Sequence, residues 1–371
     1  MSDIIQNTLY LVTPGSFVGR DHLTLQVEVP IYPRDLPEHE QTRQVAIEVR
    51  KLSIPIHHLE SVCIFGPSTI TAPALALCWE HGVAVNYLTA DGCLQARLTG
   101  VADTSVLLRR AQFRAADSVE KSASIAQRIV AGKIQNSRSS LLRGARENDS
   151  AEERQRLEAA ADALARQLQL LRSSFNTDGA DRCRHPLDPI RGIEGAASED
   201  YFAVFSLLLK QQREDFLYTN RSRRPPRDRV NCLLSFLYAL VRHDCIAALT
   251  AIGLDPFVGF LHTDRPNRPS LALDLLEEFR PWLADRLAVT LVNRQQIGSE
   301  HFLERPGGAI EFSDSGRRLV IQAYQDRKRE TLAHTVLGQQ LRVGQLPFVQ
   351  ARILARHLRG DIPYYTPFIP K

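Results

Sequence analysis

The residues best suited to chemistry gather in Gly253–Asp285, GLDPFVGFLHTDRPNRPSLALDLLEEFRPWLAD. His262 closes an apolar run, and TDRPNRPS is a strong turn. Ser270 suits the N-cap of the helix that follows. At about 100° per residue, Glu277 and Glu278 fall on the same side of that helix as Asp274. Their neighbours Leu271, Leu273, Leu275, Leu276 and Phe279 are apolar, and carboxylates in such surroundings need a counter-charge. Two partners suit them. One is arginine, with Arg265, Arg268, Arg280 and Arg286 all near in sequence. The other is a hard divalent cation, Mg2+ or Mn2+, held by carboxylates and one imidazole. In that second case the turn folds His262 back over the helix face, and a third ligand comes from elsewhere. Glu194, in RGIEGAASEDYF, is the candidate, because Gly192, Gly195, Ala196 and Ala197 allow close approach of neighbouring backbone. A glutamate near a helix start also has a plainer role, as a partner for the helix dipole.

A second chemical signal is basic. Arg221, Arg223, Arg224, Arg227 and Arg229 surround Pro225-Pro226 on an irregular segment leading into a helix, a good place to hold phosphates. The last 55 residues, Arg317–Lys371, carry 10 Lys or Arg against three acids, +7 locally, where the whole chain is only +4. A solvated surface explains such a run equally well. His243 could be a second histidine near the site, although a core or surface place is the more ordinary one. Tyr10, Tyr87, Tyr201 and Phe17 could stack on a frayed base, with packing as the commoner role.

The elements that must position these residues fall in two halves. The 371 residues, 44% hydrophobic and 24% charged, have material for about two domains and exclude a disordered or collagen-like chain. TLYLVT, HLTLQVEV, RQVAIEV and ESVCIFG read as strands, TAPALALCWEHG as one short helix, and AVNYLT with CLQARLT as a strand pair turning at Asp91-Gly92. Ile31–Gln44 reads as an exposed loop. Beyond Ser105 the helix formers dominate. Leu107–Ile134, Ala151–Leu171, Ser198–Gln212, Arg229–Ile252, Leu271–Val292 and Thr331–Leu341 read as helices. The expected fold is therefore α+β: a small β-rich domain over 1–100, a boundary near Thr99–Ser105, and a larger all-α domain over 105–371. No apolar run suggests a membrane span, and MSDIIQNTLY shows no secretory pattern. None of Cys63, Cys78, Cys93, Cys183, Cys232 and Cys245 forms a C-x-x-C pair, so reduced, mostly buried thiols in the cytoplasm are expected.

Several of these segments together resemble a known family. GIEGAA followed by Tyr201-Phe202 is similar to the glutamate motif of the CRISPR-associated adaptation integrases ("Cas-one"). RRPPRDRVNCLLSFLYALV resembles that family's next block, with Asp228 and Asn231 ahead of a buried helix bearing Tyr238. GLDPFVGFLH and SLALDLLEEFRP resemble its histidine and acidic motifs, in order. TLYLVTPGSFVGRDHLTLQVE, PIHHLESVCIFG and VLLRRAQFRAAD resemble its β-domain and the start of its helical domain, so the likeness spans nearly the whole chain and looks closest to the subtype I-C branch.

The resemblance implies a Mg2+ or Mn2+ site of Glu194, His262 and Glu277, with Asp274 as neighbour or alternative ligand. It implies attack of a DNA 3′-hydroxyl on a backbone phosphate at a CRISPR repeat, inserting short fragments. It also implies a homodimer joined through the β-domain, double-stranded DNA as substrate and a "Cas-two" partner. Two alternatives stay open: a metal-dependent DNA nuclease of repair or recombination that does not integrate, and a non-catalytic DNA-binding scaffold whose acids pair with arginines.

Overall fold

The computed structural model describes residues 8–11, 13–33, 43–59, 61–88, 94–98, 100, 106–173, 186–222 and 225–370. The Asp91-Gly92 turn, most of the Ile31–Gln44 loop, Cys93, Cys183, and Thr99 and Ser105 at the expected boundary lie outside them. The chain divides into two compact units. One is Met1–Asp103 with Phe312–Gln322; the other is Thr104–Glu311 with Ala323–Lys371.

Among its described residues the first unit holds two four-stranded sheets, one helix of its own and the start of the helix at Asp314–Arg329. Strand β1 (Thr8–Leu11) pairs in parallel with β5 (Ser61–Phe65), β5 in parallel with β7 (Ala84–Leu88), and β7 antiparallel with β8 (Leu94–Leu98). Every residue of β5 is buried, which is why SVCIF is a continuous apolar run where a one-sided strand would alternate. The other sheet has the order β4-β3-β2-β6, with β2 at Phe17–Asp21, β3 at Thr24–Ile31, β4 at Glu48–Pro55 and β6 at Thr69–Ile70. The strand read from RQVAIEV therefore starts only at Glu48, after a 3-10 turn at Arg43–Val45. Helix α1 (Ala72–Glu80) is capped by Thr71 and has Pro73 in its first turn, as its sequence suggests. Val18, Leu25, Val62, Ile64, Leu77 and Val85 form the core of this unit.

The second unit is built on helices. A single helix is expected over Leu107–Ile134, but Ser118 caps a new start and splits it into α2 (Val106–Ala116) and α3 (Val119–Arg146). Helix α4 is Ala151–Ser173. Helix α5 runs over Leu187–Ala203, starting and ending earlier than expected, with a 3-10 turn at Phe205–Leu208 after it. Helix α6 (Arg229–Ile252) begins at an Asp228 cap and ends at Gly253, whose φ of 92° is the left-handed conformation glycine permits. It is the one described helix long and apolar enough to cross a membrane. Its apolar window is 78% buried within the fold, which makes it the central core helix.

The expected helix over Leu271–Val292 is three pieces: α7 (Ser270–Phe279), a π-helical turn at Arg280–Asp285, and α8 (Arg286–Asn293). Pro281 has no N–H to donate, and the chain widens there. Two hairpins interrupt this helical unit. Strands β9 (Phe302–Arg305) and β10 (Ala309–Phe312) form one. Helix α9 (Asp314–Arg329) follows. Thr331–Leu341, expected to be helical, is instead part of the second hairpin: β11 (Thr331–Ala333) with β12 (Gln340–Arg342), turning through Gly338 at φ 65°. Helix α10 (Leu346–Arg359) packs on α6.

Candidate metal centre

Four segments of the second unit supply the centre: α3 with Lys133, α5 with Glu194, the loop before α7 with His262, and α7 itself with Asp274 and Glu277. The loop is held first. Asp274 is fully buried. Its Oδ2 accepts from the backbone N–H of Phe260 at 2.6 Å and of Leu261 at 3.0 Å. Its Oδ1 accepts from the His262 backbone N–H at 3.0 Å and pairs with the ring Nδ1 at 2.7 Å. A charged carboxylate can only accept, so Nδ1 carries the proton and Nε2 of the neutral ring keeps its lone pair. Glycine is required at 259, because a Cβ there would stand 2.9 Å from Asp274 and 2.8 Å from the Ser270 backbone.

Nε2 of His262 points toward Glu277, 3.7 Å from Oε1. Arg280 Nη1 is 3.3 Å from that same oxygen. The Lys133 ammonium is 2.8 Å from the other oxygen, Oε2, and also bonds Glu194 Oε1. Glu194 takes a further hydrogen bond from Ser198, at 3.0 Å. Burial by itself would push the Glu277 carboxyl up. The charges of Arg280 and Lys133 outweigh it and bring the carboxyl down to about 2. Next to it, Glu278 behaves oppositely. Burial pushes its carboxyl up to about 7, against hydrogen bonds from Phe368 N–H, Tyr365 and Gln350. Helix geometry puts the two acids on one side, but they face different walls. Glu277 faces cations, and Glu278 ties down the C-terminal segment, with Asn136 donating to both the Glu278 and Phe368 carbonyls.

The donor set suits a hard divalent ion: two carboxylates and one imidazole nitrogen whose tautomer is fixed from behind by a carboxylate. Glu277 Oε2 is buried and receives no aligned hydrogen bond, the condition of an oxygen meant for a cation. Among the described residues no three acidic, histidine or cysteine side chains already close around one point. The Lys133 ammonium stands between the two carboxylates. Of the two partners read from sequence, the arginine is met by Arg280 at Glu277 Oε1, the oxygen that His262 also faces.

Other expected residues are distributed differently. Asp274, expected as neighbour or alternative ligand, has both oxygens occupied by the four donors above. No packing requires glycine at 192 or 195: a Cβ at either would meet nothing within 4 Å. Arg221 is not a surface arginine. Its guanidinium binds Asn231 Oδ1 at 2.5 Å and Ser235 at 3.2 Å and lies over the Tyr238 ring. Arg229 donates to the Asp215 carbonyl at 2.5 Å, and Arg227 is exposed. Arg223 and Arg224 lie outside the described residues. His243 is buried on α6. Tyr201 is buried and donates to Asp285 at 3.1 Å, so it is not placed to stack on a base. In the +7 C-terminal segment, Arg327, Arg329 and Arg359 are matched by Glu330, Asp326 and Asp361, and Lys328 is buried against Asp244. Cys63, Cys78, Cys232 and Cys245 are buried thiols outside any disulfide. Sequence reading missed Lys133, since a single lysine in an amphipathic helix carries no signal of its own.

Comparison with known proteins places the chain in a family. Residues 9–326 match the family model described as CRISPR associated protein Cas1. A relative from Moorella thermoacetica, named CRISPR-associated endonuclease Cas1 1, is 44% identical over 366 residues, covering 99% of each chain. Among solved structures, a casposase bound to its integration product aligns with TM-score 0.79 at 21% identity over 97% of this chain and 93% of that one. A Cas6-RT-Cas1–Cas2 complex aligns with TM-score 0.76 at 22% identity over 100% of this chain and 37% of that one. Both are likenesses of fold.

Proposed function

Since the chain belongs to the CRISPR associated protein Cas1 family, and is an endonuclease and integrase-type enzyme of CRISPR adaptation, we propose that Glu194, His262 and Glu277 form its catalytic centre and hold one Mg2+ or Mn2+. The observation that carries this reading is the position of Glu277, whose Oε1 is faced by an oriented imidazole and whose Oε2 shares the Lys133 ammonium with Glu194.

The reaction is phosphodiester transesterification. The 3′-oxygen of a short DNA fragment bonds to a backbone phosphorus at the repeat edge. The P–O3′ bond of the target strand breaks, and its departing oxygen takes a proton. When bound, the ion polarises a phosphoryl oxygen and favours the alkoxide form of the attacking hydroxyl. Asp274 holds His262 in the ligating tautomer. Arg280 keeps Glu277 ionised and adds positive charge beside the place where the phosphate's charge builds up. No serine or tyrosine nucleophile is needed, because no enzyme-bound intermediate forms. Water in place of the 3′-hydroxyl makes the same site a nuclease.

The partners follow the same reading. Exposed Arg227 and half-buried Arg229, with Arg223 and Arg224, hold phosphates of double-stranded DNA, whereas Arg221 braces the segment that carries them. A Cas2 protein and a second copy of this chain complete the assembly, in the cytoplasm, whose reducing state suits the buried thiols. A subtype I-C system is the proposed context. The test is strand joining between a fragment with a free 3′-hydroxyl and supercoiled DNA bearing a repeat. Joined product that depends on Mn2+ and vanishes in Glu194→Ala and His262→Ala supports the reading. Cleavage without joining favours the repair nuclease, and joining that survives both substitutions favours a scaffold role for these residues.

A further inference from the structure

The chain has 46 basic residues, of which only six are lysines. One of the six, Lys133, has a side chain just 10% exposed and sits at the centre of the site. Its ammonium bonds Glu194 Oε1 and lies 2.8 Å from Glu277 Oε2. The other oxygen of Glu277 is faced by Arg280 and His262, so Lys133 takes the pair of oxygens that look at each other between α5 and α7. Two carboxylates so close repel unless a positive charge stands between them. A compact ammonium can meet both from one point, whereas a planar guanidinium fork cannot.

We infer that Lys133 is a built-in counter-ion: it fills the cation position while the site is free of metal, and withdraws when a divalent ion takes the same two oxygens. This rests on the reading of Glu194, His262 and Glu277 as the ion's ligands. The withdrawal has somewhere to go. Beside Lys133 is a cavity of about 20 Å3, room for one water, lined by Ser137, Ser198, Tyr201, Tyr238, Arg280 and Asp285. The flexible four-carbon stem allows that swing. Lysine and metal therefore compete, and the lysine lowers metal affinity in exchange for a stable, preorganised empty site.

The test measures binding of Mn2+ alone, with no DNA and no turnover. Mn2+ titration of the full chain by electron paramagnetic resonance is compared with that of Lys133→Met. The substitution is expected to tighten Mn2+ binding about tenfold, since a like charge leaves the site. It is also expected to lower the melting temperature of the metal-free protein, with most of that loss restored at saturating Mn2+. In the unsubstituted chain, acylation of Lys133 followed by mass spectrometry should rise on adding Mn2+, while Lys51, 73% exposed, stays constant. If the chain binds Mn2+ but Lys133→Met binds it no tighter, the inference fails and the ligand reading stands. If the chain binds no Mn2+, the ligand reading fails and takes the inference with it. If Lys133→Met does not fold, the acylation result decides, and labelling unchanged by bound Mn2+ overturns the inference.

Discussion

Asp274 offers the sharpest separation between a residue that binds the ion and one that acts through another. Its two oxygens take four hydrogen bonds, three from consecutive backbone amides and one from the His262 ring. Asp274→Asn keeps the shape and turns one oxygen into a donor. With the amide nitrogen at Oδ2, the Phe260 and Leu261 N–H groups lose their acceptor; at Oδ1, the His262 N–H loses its own and the ring must change tautomer. At roughly 1–3 kcal/mol for each unsatisfied buried group, the loss is roughly 1–6 kcal/mol, a large share of a domain's stability. If the new amide faces the ring, Nδ1 must accept and Nε2 carries the proton, so the Nε2 lone pair that the proposed ion would use is gone. Outer-shell partners of a ligating histidine are generally worth about 10–100-fold in metal affinity, or roughly 1.4–2.8 kcal/mol. The assay is calorimetric titration with Mn2+ at a temperature where circular dichroism shows the variant folded, with Glu194→Gln as the reference for a lost direct ligand. The expected order of affinity is the unsubstituted chain, then Asp274→Asn weaker by about 10–100-fold, then Glu194→Gln. An unchanged affinity in folded Asp274→Asn would refute the argument. A loss equal to that of Glu194→Gln would make Asp274 a ligand after all.

Three further outcomes are expected. Between pH 4.5 and about 7 the folded chain keeps a proton on Glu278 that the unfolded chain has released, so this carboxyl makes stability fall as pH rises through that window, by roughly 3 kcal/mol. Urea unfolding at several pH values should show a shallower fall for Glu278→Gln. Asp285, pushed up to about 6 by burial, contributes the same sign in both proteins and cancels in the difference. Gly132→Val drives a Cβ to within 2.6 Å of Pro367 and should cost roughly 1–3 kcal/mol in chemical denaturation as the C-terminal segment shifts, whereas an unaffected midpoint would show that this segment does not pack there in solution. DNA affinity should fall steeply with salt; Arg227→Ala should reduce the slope of log K against log salt by about 1. Arg221→Ala should instead lower the melting temperature through Asn231 and Ser235, and a loss confined to DNA binding would return it to the surface.

Much of the site is legible in the residues alone because its signals are local. Glycine, proline and capping side chains mark the turn after His262 and the start of α6, and helical periodicity puts Asp274 and Glu277 on one side. Local signals fail where a neighbour distant in sequence decides. Thr331–Leu341 has ordinary helix formers, yet it folds as a hairpin because Gly338 turns the chain and β11 finds its pairing partner in β12. The π-helical turn after Phe279 depends on how the freed carbonyl is accommodated around Pro281, which a periodic pattern cannot specify.

By itself, then, the sequence determined which candidate ligand side chains this protein carries and the order in which they occur. Tertiary structure alone decided their roles. It separated Glu277 from Glu278, one among cations and one against the C-terminal segment, although they are adjacent on the same helix. It assigned both oxygens of Asp274 to the loop that bears His262, and drew Arg221 inside. It also placed Lys133, 61 residues from Glu194 in the chain, between two carboxylates. The reason is that a charge is set by what surrounds it within a few ångströms, and those surroundings are assembled from segments that share no local pattern.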